Sequence, residues 1–308
     1  MVTKHLSYSQ ISCFNNCKQE YKFRYIDKIQ PKKFSCALNF GKYFHLGMEK
    51  LYEHGSMVRA IQDVMEKINA INTMNFTEKD FNDLEWTKTV LVAMIEGYYD
   101  IFYMNDIDNG YTPVELEKRY EKNIINPRSK RTSRTYKFQF IADAVLKDKD
   151  GGLWLVEYKT AAQLGDNYFD RLAFDHQITG CLAYLQEVYG QEFKGVLYRV
   201  MKKPGIRQKK ATKNKPAETR EEFLKRLEDV FNNEVDKYFH ERILTRTQDE
   251  LKHFKDSLWL TTEDIRLTVK NKGFYMNTSN CVIKNCSFLP LCACKPGARD
   301  LFKERKSR

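Results

Sequence analysis

The segment LVEYKT, residues 155–160, sets Glu157 and Lys159 two apart inside an apolar run. In a strand this puts Leu153, Leu155, Glu157 and Lys159 on one face and Trp154, Val156 and Tyr158 on the other. A β-rich stretch, YKFQFIADAVL, precedes it and is joined to it by KDKDGG, where Asp150-Gly151 is a strong hairpin signal. With the turn centred on Asp150, residues whose numbers sum to 300 face each other, which pairs Asp143 with Glu157. Directly opposed Cβ atoms lie roughly 4.5–5.5 Å apart. Two carboxylates at that separation repel unless a cation lies between them. Such a pair with water makes a hard oxygen site suited to Mg²⁺ or Mn²⁺, and a nearby lysine can position a water or stabilise developing negative charge. This chemistry fits phosphodiester hydrolysis. Spacing alone leaves a plainer arrangement open, in which Lys159 neutralises both acids on a solvated sheet face.

Other elements must hold that hairpin. SYSQISCFNNCKQEYKFRYIDKI reads as a helix opened by capping serines. A second helix is expected from about Ala37 to Tyr52, where Gly41, His45 and Glu49 share a face. Residues 56–105 read as helical, and strand character begins at TPVELEKRYEKNII. After the hairpin come a helix, DHQITGCLAYLQEVYG, and a short strand, GVLYRVM. ETREEFLKRLEDVFNNEVDKYFHERIL then reads as one long charged helix, followed by a cysteine-rich end and a basic tail. The resulting class is α/β, with a core of helix, three strands, helix, strand.

The chain has 308 residues, of which 42% are hydrophobic and 13% aromatic, enough to bury a sizeable core and far from a disordered composition. No apolar run suggests a membrane span and the first residues lack a signal-peptide pattern, so a cytoplasmic protein is expected. The net charge of +11 favours polyanionic partners. It is concentrated in MKKPGIRQKKATKNKPA, residues 201–217, which includes Lys202, Lys203, Arg207, Lys209 and Lys210 and has no acid. This stretch reads as a basic loop: either a phosphate track or a solvated, disordered excursion.

Eight cysteines in a cytosolic chain point to metal ligation, reactivity or burial more than to disulfides. Cys36 and Cys181 are isolated, and Cys36 reads as a small core residue. Cys13 and Cys17 lie early, while Cys281, Cys286, Cys292 and Cys294 crowd the last stretch. Four thiolates suit either an iron-sulfur cluster or structural Zn²⁺, and the short CxxC pairs typical of zinc are missing.

FIADAV followed by EYK resembles the signature of the PD-(D/E)xK nuclease superfamily, in its RecB-like and AddB-like exonuclease branch. The resemblance implies a restriction-endonuclease-like core with Asp143 and Glu157 on the metal and Lys159 and Gln177 as catalytic partners. It further implies that His45, in GKYFHLGMEKLYE, and an acid on the first core strand complete the metal shell. Glu117 is the better match for that acid and Glu115 the second. Relatives carry a DNA-contacting tyrosine four residues after the glutamine. Here that place holds Cys181, with Tyr184 as an imperfect substitute. A subset of the branch holds a [4Fe-4S] cluster on one early and three late cysteines, which match Cys17, Cys281, Cys286 and Cys292.

The chain is expected to be one nuclease domain. Its segments are the first cluster cysteine (1–35), the histidine helices (36–110), the core (111–200), the basic loop (201–217), further helix (218–270) and the cysteine end (271–308). The expected function is a metal-dependent DNA exonuclease acting on single-stranded or end-containing DNA in recombination, repair or phage DNA processing. The alternative is a catalytically silent DNA-binding accessory protein on the same scaffold. No GxxxxGK[ST] stretch is present, so any ATP-driven unwinding would come from a helicase or recombination partner.

Overall fold

The structure, a computed structural model, describes residues 4–32, 36–74, 76–283 and 286–305. Its strands are β1 (Lys4–Ser7), β2 (Ile29–Pro31), β3 (Thr112–Ile125), β4 (Thr132–Lys147), β5 (Leu153–Ala161), β6 (Phe193–Lys202), β7 (Phe239–Leu244) and β8 (Phe302–Glu304). The helices in chain order are α1 (Tyr8–Asn16), α2 (Lys18–Tyr21), α3 (Cys36–His54), α4 (Met57–Asn69), α5 (Glu78–Tyr98) and α6 (Met104–Asp108). They continue with α7 (His176–Tyr189), α8 (Arg220–Asn233), α9 (Val235–Tyr238), α10 (Gln248–Asn271), α11 (Thr278–Ile283) and α12 (Leu289–Cys292). The side chain of Cys36, expected in the core, and the last residues of the basic tail lie outside the described residues.

The chain forms two compact units, each built from separated stretches. The larger comprises Ser35–Lys118 and Ile141–Arg246, the smaller Met1–Phe34, Arg119–Phe140 and Thr247–Arg308. In the larger unit β4 pairs antiparallel with β5, β5 parallel with β6, and β6 antiparallel with β7, a mixed sheet. β3 pairs with β4. The β4–β5 ladder runs Ala144↔Val156 through Lys147↔Leu153, the register expected from a turn centred on Asp150. Asp148 closes that turn: its carboxylate accepts from the backbone of Asp150 and Gly152 and from the Trp154 indole, while Gly151 supplies the φ of +86°.

Helices α3, α4, α5 and α8 bury one face in a common core. It holds Phe44, Met48 and Leu51 of α3, Val64 of α4, Ile95 and Tyr98 of α5, and Leu227 of α8, with Val156, Tyr158 and Leu197 of the sheet. Full burial of such side chains stabilises by about 1.5–3 kcal/mol each. Helix starts are fixed by capping boxes at Thr77–Asp80 and Thr219–Glu222. The smaller unit pairs β1 in parallel with residues 136–139 of β4 and β2 antiparallel with β8, and packs Ile29, Phe288 and Phe302 together.

Two expectations need correction. The first helix is interrupted at Cys17, whose backbone is extended (φ −162°, ψ 114°), and it ends in a π-helical turn at Lys22–Ile26. The long charged helix stops at Asn233, and residues 239–244 form β7 instead. Pairing with β6 overrides the local helical pattern there, because it satisfies the backbone groups along that edge of β6. Among the described residues no helix is long and apolar enough to cross a membrane.

Candidate metal centre

Continuing the hairpin ladder by one pair sets Asp143 opposite Glu157. Both are buried, at 8% and 1% exposure, in a sheet where few polar groups are. The Tyr158 backbone N–H donates to Asp143 Oδ2 at 3.0 Å, fixing the carboxylate. From α3, His45 Nδ1 reaches within 3.3 Å of Asp143 Oδ1 and 3.7 Å of Glu117 Oε1. One ligand atom from each of His45, Glu117 and Asp143 lies within 4.8 Å of the others. Glu117 sits in β3 with φ +45°, a left-handed conformation that costs a non-glycine residue about 1–3 kcal/mol and is characteristic of functional sites. The alternative, Glu115, is ion-paired with Lys118.

Glu157 Oε1 is the meeting point of the other two partners. Lys159 Nζ forms a close ion pair with it, and Gln177 Nε2 donates to it at 2.8 Å. Gln177 is delivered by the first turn of α7, which Asp175 caps by accepting from the N–H groups of Gln177 and Ile178. Glu157 Oε2 is buried without a hydrogen-bond partner.

The electrostatics follow from this crowding. Burial pulls the His45 imidazole down, but the Asp143 carboxylate and hydrogen bonds to Asp143 and Glu117 outweigh it and raise its pKa to about 10. Burial works against the Asp143 anion, yet His45, Lys159 and the Tyr158 N–H hold it below the usual range. Burial pushes Glu157 up to about 7, with Lys159 opposing and Asp143 adding to the rise. Burial disfavours the Lys159 cation, and Glu157 and Asp143 more than compensate, so it stays charged.

The donor set fits a divalent cation. Two carboxylates and one imidazole converge, and the acid facing Asp143, Glu157, adds a buried oxygen with no hydrogen-bond partner. A cation there would be held by Asp143, Glu117 and His45, with Glu157 alongside. A profile of the PD-(D/E)XK nuclease superfamily matches residues 5–293. The chain belongs to the PD-(D/E)XK nuclease superfamily. It is also 25% identical over 310 residues to an ATP-dependent helicase/deoxyribonuclease component of Streptococcus agalactiae serotype Ia and to its counterpart in serotype V. The match covers 92% of this chain and 25% of each relative, so the chain spans about a quarter of their length.

In this superfamily member the other residues singled out by sequence are placed as follows. Tyr184 is 4% exposed and Cys181 1%, so α7 presents neither to solvent. The basic loop is anchored at several points. Lys203 lies 5.0 Å over the Phe40 ring, Arg207 lies 4.3 Å over Trp86 and pairs with Asp83, and the Lys209 backbone donates to Glu218. Lys210 is exposed, and Lys202 is half-buried at the end of β6.

In the smaller unit Cys17 Sγ accepts from the Asn277 backbone N–H at 3.4 Å, and the Cys286 N–H donates to the Cys281 carbonyl at 3.2 Å. Burial pushes the Cys292 thiol up to about 11, and the sulfurs of Cys17, Cys281 and Cys286 add to the push. Cys286 is likewise raised by burial, then by Glu20, Cys281 and Cys17. All four cysteines belong to the smaller unit, and among the described residues the only group of metal-binding side chains brought together is that of His45, Glu117 and Asp143.

Sequence reasoning missed a buried cluster behind the metal side. Arg199 of β6, 1% exposed, donates to both Asp106 oxygens at 2.6 and 2.7 Å and to the hydroxyls of Tyr98 (2.7 Å) and Tyr52 (3.0 Å). Its Nε donates to Glu241 at 2.6 Å. Tyr158 packs on the rings of Tyr52 and Tyr98, and His45 packs edge-on against Tyr158. An arginine inside GVLYRVM was the available signal.

Proposed function

We propose that this chain is a metal-dependent DNA exonuclease that hydrolyses phosphodiester bonds at DNA ends. The observation that carries the reading is the convergence of His45, Glu117 and Asp143 beside a buried Glu157 whose Oε1 holds both Lys159 and Gln177. Mg²⁺ or Mn²⁺ bound there supplies Lewis-acid polarisation of the phosphodiester. Lys159 keeps its positive charge beside the attack site, where it orients the nucleophilic water and offsets negative charge developing on the phosphate. Gln177 and Lys159 together fix the Glu157 rotamer, and Tyr158 and His45 fix Asp143. Lys202, Lys203, Arg207, Lys209 and Lys210 track the DNA backbone, which needs positive charge and no sequence reading. Cys17, Cys281, Cys286 and Cys292 hold a [4Fe-4S] cluster with a structural role. The protein works in the cytoplasm in DNA recombination or repair, with unwinding supplied by a helicase partner. The resemblance to helicase/deoxyribonuclease components supports that setting.

The test is cleavage of DNA labelled separately at each 5′ and 3′ end, with Mn²⁺ or Mg²⁺, comparing wild type with Lys159→Ala. Loss of one preorganised charge at the reacting phosphate predicts a rate at least about 10²-fold lower with an unchanged circular-dichroism spectrum. Undiminished cleavage by the purified variant refutes the role of Lys159, and internal cuts ahead of end release refute an exonuclease.

A further inference from the structure

Phe174 is 83% exposed, and it stands three residues before Gln177, whose amide is hydrogen-bonded to Glu157. The segment carrying it is fixed at both ends to the candidate site. At its start the Tyr168 hydroxyl lies 3.0 Å from that of Tyr198, the β6 residue paired with Glu157 in the sheet. At its end Asp175 caps the helix that positions Gln177. Between them Asp170–Phe174 forms a 3₁₀ turn with Leu172 buried, and the Arg246 guanidinium clamps it by donating to the Leu172 carbonyl and to Thr179 Oγ1.

A phenylalanine left in water gives up the roughly 1.5–3 kcal/mol that burying it would contribute. The Arg246 hydrogen bonds hold the backbone that carries this ring, and among the described residues no aromatic ring stacks on it. The surroundings interleave aromatics and cations. Arg171 lies over Tyr168 at 5.9 Å, Arg242 over Phe169 at 4.6 Å, and His240 packs against Phe169. Aromatic faces among basic groups are what a nucleic-acid strand with unstacked bases uses, since every base offers a π-face and a phosphate. In a duplex those faces are already stacked on one another.

We propose that Phe174 is a stacking platform for an unpaired base, so that the strand reaches the metal side as single-stranded DNA. This specifies the substrate form and rests on the nuclease reading above. Its test is equilibrium binding, by fluorescence anisotropy without divalent metal, of single-stranded oligonucleotides in which one abasic position is moved stepwise from the end. Wild type should lose about 5- to 150-fold in affinity at one position, the worth of one base on an aromatic ring. Phe174→Ala should be weaker by the same factor on the intact strand and insensitive at that position, while Phe174→Trp retains both effects. Blunt duplex should bind Phe174→Ala and wild type within about twofold. Three results overturn the platform: equal abasic penalties in wild type and Phe174→Ala, restoration by Phe174→Leu as fully as by Phe174→Trp, or an equal loss on blunt duplex. A wild-type protein that binds in this Phe174-dependent way but cuts nothing with any divalent ion would refute the nuclease reading and leave the platform standing.

Discussion

Asp106→Ala removes the acid that neutralises a fully buried guanidinium. The carboxylate accepts two hydrogen bonds from Arg199 and a third from the Tyr52 hydroxyl. Without it Arg199 keeps Glu241 as its acidic partner, a side chain 34% exposed and therefore partly screened by water. Charged hydrogen bonds contribute about 1.5–3 kcal/mol each, and breaking one partner of a buried ion pair costs about 3–5 kcal/mol. The ion-pair figure already contains those bonds, and about 3–5 kcal/mol is a large share of the roughly 5–15 kcal/mol that holds a domain folded. For a unit of some 150–250 residues each kcal/mol moves the melting temperature by about 2–4 °C, so Tm should fall by about 6–20 °C. Thermal unfolding followed by circular dichroism measures this directly. Replacing both partners, Arg199→Met with Asp106→Leu, should recover most of the loss, because no unpaired charge then remains buried. A fall below about 3 °C for Asp106→Ala, or a double variant no more stable than the single one, would refute the reasoning.

Glu96 on α5 has a buried oxygen with no hydrogen-bond partner, and burial, then Glu228 and Asp100, raise its pKa from 4.5 to about 7. The folded protein therefore keeps a proton that the unfolded chain releases, so this contribution is full below pH 4.5 and is lost as pH rises towards 7. Glu96→Gln should be more stable than wild type at pH 8, by on the order of 1 kcal/mol after solvent screening, and the gain should vanish by pH 4. A gap in urea midpoint that does not change with pH would count against this. Cys17→Ser and Cys281→Ser proteins, purified anaerobically, should each lose the iron and acid-labile sulfide measured in wild type. Stoichiometric zinc without sulfide in wild type would overturn the iron-sulfur assignment in favour of the tetrahedral alternative.

The hairpin was legible because its register is set locally: one turn sequence and a period of two suffice to oppose Asp143 and Glu157. His45 and Gln177 were reachable because helices carry their residues in fixed phase, and the family resemblance said which residues mattered. The left-handed φ of Glu117 was hidden, since a residue normal for a strand gives no sign of a backbone reversal. β7 was hidden by its charges, which read as a solvated helix until the edge of β6 is there to pair with. The partner of the Cys17 sulfur at the break, the Asn277 N–H, lies far along the chain and leaves no local trace. In sequence Phe174 is one aromatic among many. Its exposure, and the clamp from Arg246 on the turn that carries it, are visible only in the fold.

The interleaving of the two units also sets an order of manufacture. A ribosome delivers every residue of the larger unit, up to Arg246, before it starts on Thr247–Arg308. At about 5–20 residues per second the larger unit has roughly 3–12 s to fold before that last stretch is made. For about the first half of that interval Cys17 is already present while Asn277, Cys281, Cys286 and Cys292 do not yet exist. An early thiol kept waiting in this way is open to oxidation. Slowing translation after Arg246, or raising oxidant during synthesis, should therefore damage the smaller unit while the larger one escapes.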